Sequence, residues 1–240
     1  KFDDFPMDTL TKAWYYHQTA GKKQRSVDLM REHREQLGVT GNCFDLAIWL
    51  LDEFEKDGVD AYAVGHDIDY DGAHVAVVAI NEKGNRYLCD LGDQWVIPIL
   101  IDEKSEDFSE EILSGFFPGA NIRVKAAEQE IEVFYHRPNG KVSRQVYSLD
   151  PIPFDVLIHA AERSQNHIYR KPLLECRLPY KNEKAHWEFN NWESFLSTSE
   201  GLFQDSSLST IDEWVDRIHQ KTGYDKGFLL ETLIIYQNLK

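Results

Sequence analysis

The stretch "GAHVAVVAINEKGNRYLCDLGDQW", residues 72–95, holds two apolar runs on either side of a polar, glycine-bearing break. Val, Ile, Ala and Tyr dominate the runs and "NEKGN" supplies turn residues, which together predict an antiparallel β-hairpin. A three-residue loop, Glu82-Lys83-Gly84 with Gly84 left-handed, pairs Asn81 with Asn85. That register sets Val75 opposite Leu91 and Ala76 opposite Asp90. His74 and Asp90 then project from one sheet face as diagonal neighbours, roughly 7–8 Å apart at Cα. Asp93 would point to the other face. A two- or four-residue loop would exchange the two aspartates, because a one-residue slip turns every side chain over.

A histidine and an aspartate inside apolar strands need partners when buried, and here each can serve the other. The bland alternative is a satisfied core histidine beside a turn aspartate. A second stretch, "GVTGNCFDLAIWLLDEFEKDG" (residues 38–58), reads as a helix: Phe44, Ala47, Ile48, Leu51 and Phe54 recur at helical spacing. Thr40 and Asn42 are N-cap candidates and Gly58 a stop. Cys43 falls on the first turn, where the positive end of the helix dipole lowers a thiol's pKa. Its alternative is a small buried hydrophobe. Cys43, His74 and Asp90, in that order, are the parts of a nucleophile, a base and an orienter. His66, beside a loop, is a less confined competitor for the base. "HDIDYD" (residues 66–71) lacks the spaced glycine and the glutamate of a calcium loop and reads as solvated.

Around these two stretches, residues 8–20 and 26–37 read as helices, with Ser26 a cap and Gly38 a stop. "VDAYAVGHD" and "ANIRVKAAEQEIEVFYHRPNGKVSRQVYSL" add strands, with "RPNGK" a hairpin turn. Residues 154–166 are helical, "LLECRLPY" is a strand, and helices follow near 209–222 and 225–238, with a Thr210–Glu213 capping box and Gly223 as a stop. "HWEFNNW" (residues 186–192) is an aromatic lid or a strand end packed on the core. The expected fold class is α+β in three regions: a helical segment bearing the cysteine (1–58), an antiparallel β region bearing the histidine and aspartate (59–150), and a C-terminal α/β region (151–240).

Composition narrows the function classes. With 41 acidic against 26 basic residues the net charge is −15, which disfavours nucleic acid and gives no global steering toward anionic cofactors; a local basic patch could still supply it. No apolar run reaches the roughly 18 residues of a membrane span. Three cysteines, Cys43, Cys89 and Cys176, argue against a disulfide framework and for a reducing, cytoplasmic setting. The chain starts at Lys1 and shows no signal-peptide pattern, which leaves room for a leader already removed. Without CxxC or HExxH, no structural zinc site or other metal is expected.

The segments Gly41-Asn42-Cys43-Phe44-Asp45 and Tyr87-Leu88-Cys89-Asp90-Leu91-Gly92, the latter followed by Pro98, resemble the arylamine N-acetyltransferases. That family carries a loop of the form RGGxC[FY]E and, after a strand histidine, a tyrosine-leucine-x-aspartate-x-glycine segment. The resemblance covers residues 38–98, about a quarter of the chain, and extends to the wider group of transglutaminase-like cysteine enzymes. Val39-Thr40 replaces the arginine and first glycine of the family loop, Asp45 its glutamate, and Gly92-Asp93-Gln94-Trp95 stands where the family has glycine-phenylalanine-glycine. What the resemblance implies is a cysteine-proteinase-like fold, with Cys43 as acyl-accepting nucleophile, His74 as its proton partner and Asp90 as orienter. It also implies acetyl-coenzyme A as donor and a small amine as acceptor. Phe116, Phe117, Phe134 and Tyr135 are candidates for an acceptor pocket or for core. The competing readings are a transglutaminase-like hydrolase or peptidase, and a non-catalytic binding domain on the same scaffold.

Overall fold

In the computed structural model, residues 1–17, 22–127 and 129–239 are described. The chain runs β1 (Met7–Asp8), a π-helical turn (Lys12–Tyr16), α1 (Val27–Leu37) and α2 (Cys43–Asp57). Eight strands follow: β2 (Ala61–His66), β3 (His74–Ile80), β4 (Arg86–Cys89), β5 (Ile99–Leu100), β6 (Leu113–Phe117), β7 (Ala120–Ala126), β8 (Glu130–His136) and β9 (Val142–Ile152). Then come α3 (Phe154–Asn166), β10 (Leu173–Tyr180), β11 (Glu183–Asn190), β12 (Glu193–Thr198), β13 (Gly201–Gln204), α4 (Ile211–Thr222) and α5 (Lys226–Asn238).

Strands β2–β9 form one antiparallel sheet in the order β5-β4-β3-β2-β9-β8-β7-β6 that curls into a nearly closed barrel. The fold is thus the expected α+β class. Val64, Ala76, Val78, Leu88, Ile122, Val133 and Tyr147 fill the barrel interior. The alternate residues of β3, Val75, Val77 and Ala79, face outward onto Phe44, Ala47 and Ile48 of α2. A strand buried on both faces reads as a continuous apolar run, which is why "HVAVVAI" shows no alternation. β1 and β10–β13 make a second antiparallel sheet, covered by α4 and α5 through Trp187, Phe189, Trp214 and Leu229.

The helix expected over residues 8–20 differs from the structure. Met7 and Asp8 pair with Glu175 and Leu174 of β10, and the Asp8 carboxylate accepts the Thr11 N–H and the Tyr224 hydroxyl. Backbone pairing to a distant strand and a buried acceptor override helix propensity there, so helical structure is confined to the turn that ends at Tyr16. Residues 18–20 of that expectation lie outside the described residues. In "HWEFNNW", Trp187 and Phe189 are core residues of β11, and Asn191 and Trp192 take positive φ in the turn to β12.

The approach to α2 is fixed by buried charge. Asn42 caps the helix, its side chain accepting from the Phe44 and Asp45 N–H groups while Asp45 reaches back to the Asn42 N–H. Arg25, fully buried, lies beneath this loop; its guanidinium sits 3.0 Å from the Asp45 carboxylate and donates to the Thr40 carbonyl at 2.6 Å. Burial and the Arg25 charge together push the neighbouring His33 down to about 4, so it stays neutral. Gly41, at φ 138°, fits where no side chain would: a Cβ there would lie 2.1 Å from the Asp45 carboxylate. The loop thus rests on a buried cation supplied from outside it, Arg25.

Removing one partner of a buried ion pair strands the other. Arg25→Leu is expected to destabilise the protein by about 3–5 kcal/mol, read as a lower urea midpoint at an unchanged slope. An Arg25→Leu protein as stable as the parent would show that the pair does not hold the loop.

Candidate active site

The β3–β4 turn sets the geometry. Asn81 N–H donates to the Asn85 carbonyl, Gly84 takes φ 82°, and the pairs run from Ile80 opposite Arg86 to Val77 opposite Cys89. This is the register of the three-residue loop. His74 opens β3 and Asp90 sits one residue past β4, at one end of the barrel.

Asp90 is fully buried and both its oxygens accept hydrogen bonds. Oδ2 accepts from His74 Nε2 at 2.6 Å and from the Tyr147 hydroxyl at 2.7 Å, and Oδ1 accepts the Asp93 N–H at 2.8 Å. An ionised carboxylate only accepts, so Nε2 of His74 carries its proton toward Asp90 and Nδ1 is left for the Cys43 sulfur. Burial works against the charged forms of both groups, but mutual attraction prevails. The His74 imidazole is raised well above its ordinary value by the Asp90 charge and hydrogen bond together with Cys43, and Asp90 is lowered. The His74 side chain keeps 18% exposure, enough to meet a ligand.

Cys43 is the first residue of α2 and is half-buried beside His74. The strand-end turn closes over the pair at Gly92, where an added Cβ would fall 2.6 Å from the Cys43 Cβ and 3.2 Å from His74 Cε1. Any side chain there would drive sulfur and imidazole apart. The structure therefore brings Cys43, His74 and Asp90 together. His66 lies opposite His74 in the β2–β3 register, its ring stacked at 5.7 Å, with Nδ1 2.9 Å from Asp67. Cys89 and Cys176 are buried, and burial pushes both thiols up to about 12.

Asp93 departs from its expected place on the opposite face. The strand ends at Cys89 and the chain turns, with Trp95 N–H donating to the Asp90 carbonyl, so strand alternation stops before residue 93. The Asp93 carboxylate instead accepts the Tyr135 hydroxyl and Trp95 Nε1 on the barrel side, close to Asp90. Of the four aromatic candidates, Phe117 and Tyr135 are barrel core, and Phe134 carries Arg123 and Lys125 over its ring. Tyr147 escaped sequence reading because its contact with Asp90 depends on β9 pairing with β2, Ser148 opposite Gly65, across more than eighty residues of chain.

A cysteine at a helix N-terminus stands beside a histidine–aspartate pair at the end of the barrel, and the fold matches that of the arylamine N-acetyltransferases. Solved structures similar to this chain include the arylamine N-acetyltransferase of M. tuberculosis (TM-score 0.75, 11% identity, covering 99% of this chain and 88% of that one). The Mycobacterium marinum enzyme in complex with CoA has a TM-score of 0.73 at 11% identity, covering 97% and 88%. The Bacillus cereus enzyme NAT3, with a Cys-His-Glu catalytic triad, has a TM-score of 0.65 at 13% identity, covering 93% and 87%. No family model and no curated protein matches the chain by sequence.

Burial, and next the Asp90 charge, push Asp93 up to about 7, while Tyr135 and His74 pull the other way. Folding therefore takes up a proton at Asp93 between about 4, its ordinary value, and 7, and this group's contribution to stability falls as pH rises through that window. Asp93→Asn, which has no such proton to lose, should gain in melting temperature relative to the parent from pH 4 to pH 8, measured by scanning fluorimetry. A constant difference across that range would mean Asp93 titrates normally.

Proposed function

We propose that this protein is an acyltransferase of the arylamine N-acetyltransferase kind, moving an acyl group from a coenzyme A thioester through Cys43 to a small amine. The observation that carries the reading is the linked set Cys43–His74–Asp90, with a 2.6 Å His74–Asp90 contact behind the thiol. The fold likeness to enzymes of that name, one of them solved with CoA, supports donor and reaction class.

In this reading Nδ1 of His74 takes the Cys43 proton as the sulfur attacks the thioester carbonyl. The tetrahedral adduct collapses by breaking its bond to the coenzyme A sulfur, which leaves with the proton from His74. The amine then attacks acyl-Cys43; His74 accepts the amine proton and returns it to the departing Cys43 sulfur. Asp90 holds the ring with Nδ1 toward the sulfur and favours the imidazolium formed in each half-reaction. The backbone N–H of Cys43 is the candidate donor for the oxyanion, because those of Phe44 and Asp45 are taken by the Asn42 cap. The free thiol nucleophile suits a reducing compartment.

Incubation with acetyl-coenzyme A should release coenzyme A thiol and add the mass of an acetyl group at Cys43, and an arylamine should discharge it as the N-acetyl product. Asp90→Asn should remain folded yet lose on the order of 10⁴-fold in acylation, the scale of the matching change in a serine-protease triad. Neither thiol release nor acetyl-Cys43 at high enzyme concentration would sink the reading.

A further inference from the structure

We propose that Glu175, His186 and Glu188 form a binding site for a divalent transition-metal ion, with zinc as its type, on the face of the C-terminal sheet turned toward the barrel. The three side chains offer one ligand atom each, all within 4.8 Å of one another. Glu175 of β10 lies directly opposite Glu188 of β11, and His186, two residues before Glu188, shares their face. His186 Nε2 is 3.2 Å from Glu175 Oε2.

Two glutamates placed opposite each other on neighbouring strands repel unless something positive lies between them. Here Glu175 and His186 are largely shielded from water, their side chains keeping 16% and 11% exposure, and Glu188 is half-buried. Among the described residues, His186 is the one ion-pair partner of Glu175, and Glu188 accepts only the Asn190 amide, at 2.8 Å. Arg177, opposite His186, donates its guanidinium to the carbonyls of Trp95 and Phe2. Arg137 lines the adjoining cavity and its charge favours the ionised form of Glu188, but among the described residues it makes no ion pair with either glutamate.

One imidazole and two carboxylates suit zinc, cobalt or manganese, whereas calcium and magnesium prefer oxygen alone. Bonds of about 2.0–2.2 Å place tetrahedral ligand atoms about 3.4 Å apart, a contraction that rotation of the two flexible glutamates supplies. The site opens on a cavity of about 270 Å³ lined by Phe117, Arg137 and Phe195, which leaves a fourth position for water. The lack of CxxC or HExxH is no objection, because those motifs mark sites built along one segment and this one is assembled across two strands.

The test uses the full chain carrying Cys43→Ala, which removes the competing thiolate, after stripping with a chelator. Titration with Co²⁺ should show a single site with d–d absorption, and Zn²⁺ should raise the melting temperature. Glu175→Gln and Glu188→Gln keep shape and relieve repulsion; each should weaken Co²⁺ binding at least tenfold and abolish the Zn²⁺ shift, and His186→Asn should do the same. Absence of bound Co²⁺ at millimolar concentration overturns the proposal. So does binding left unchanged in any one of the three variants that folds.

Discussion

The structure turns on one buried carboxylate. Asp90 sits at the end of an apolar barrel, where an unpaired charge would cost several kcal/mol, and three donors answer it from three parts of the chain: His74 from β3, Tyr147 from β9 and the Asp93 backbone from the turn that follows. Each donor depends on a different piece of folding. The His74 bond needs the β3–β4 register, the Tyr147 bond needs β9 to close beside β2, and the Asp93 bond needs the strand to end at Cys89. A one-residue slip in the hairpin would take Asp90 off that face and leave His74 without its partner. The charge therefore selects the register as much as the turn residues do.

Arg25 and Asp45 apply the same rule to the other half of the site. A buried cation beneath the loop draws in the Thr40 carbonyl and the Asp45 carboxylate, and Asp45 in turn caps α2 and so sets where its first residue, Cys43, lies. Gln165 of α3 donates to both Asn42 and Asp45, so a third helix is fastened to the same loop. The nucleophile candidate and its base candidate are held by separate buried charges, and they meet at Gly92, where there is room for hydrogen alone.

Local rules made much of this legible. "NEKGN" with its glycine gave the loop length, and the loop length gave the face shared by His74 and Asp90. Asn42 with Asp45, Thr210 with Glu213, and glycines after helices marked boundaries that need only neighbouring residues to act. What stayed hidden depends on long-range pairing. Asp8 looks like a helix start until β10 is beside it, and Tyr147 is one more strand aromatic until β9 closes the barrel. Asp93 lies off its expected face because strand alternation ends at Cys89, where the backbone turns. Arg25 stands 18 positions before Cys43, with no spacing to announce that it serves the loop.

Net charge is likewise a poor guide to the field near the site. The chain carries −15 overall, yet residues 133–149 include Arg137, Lys141 and Arg144 and no acidic residue. Arg137 and Arg144 line a small cavity that also touches His66 and Asp93. His66 stacks on His74, so these cations stand one ring removed from His74. A charge inside a Debye length of about 8–10 Å outweighs a more distant surface excess of the opposite sign. The acidic surplus therefore bears on solubility and non-specific binding, while the potential beside His74 is the local balance of Arg137 and Arg144, the latter ion-paired to Glu132, against the carboxylates of Asp67, Asp90 and Asp93.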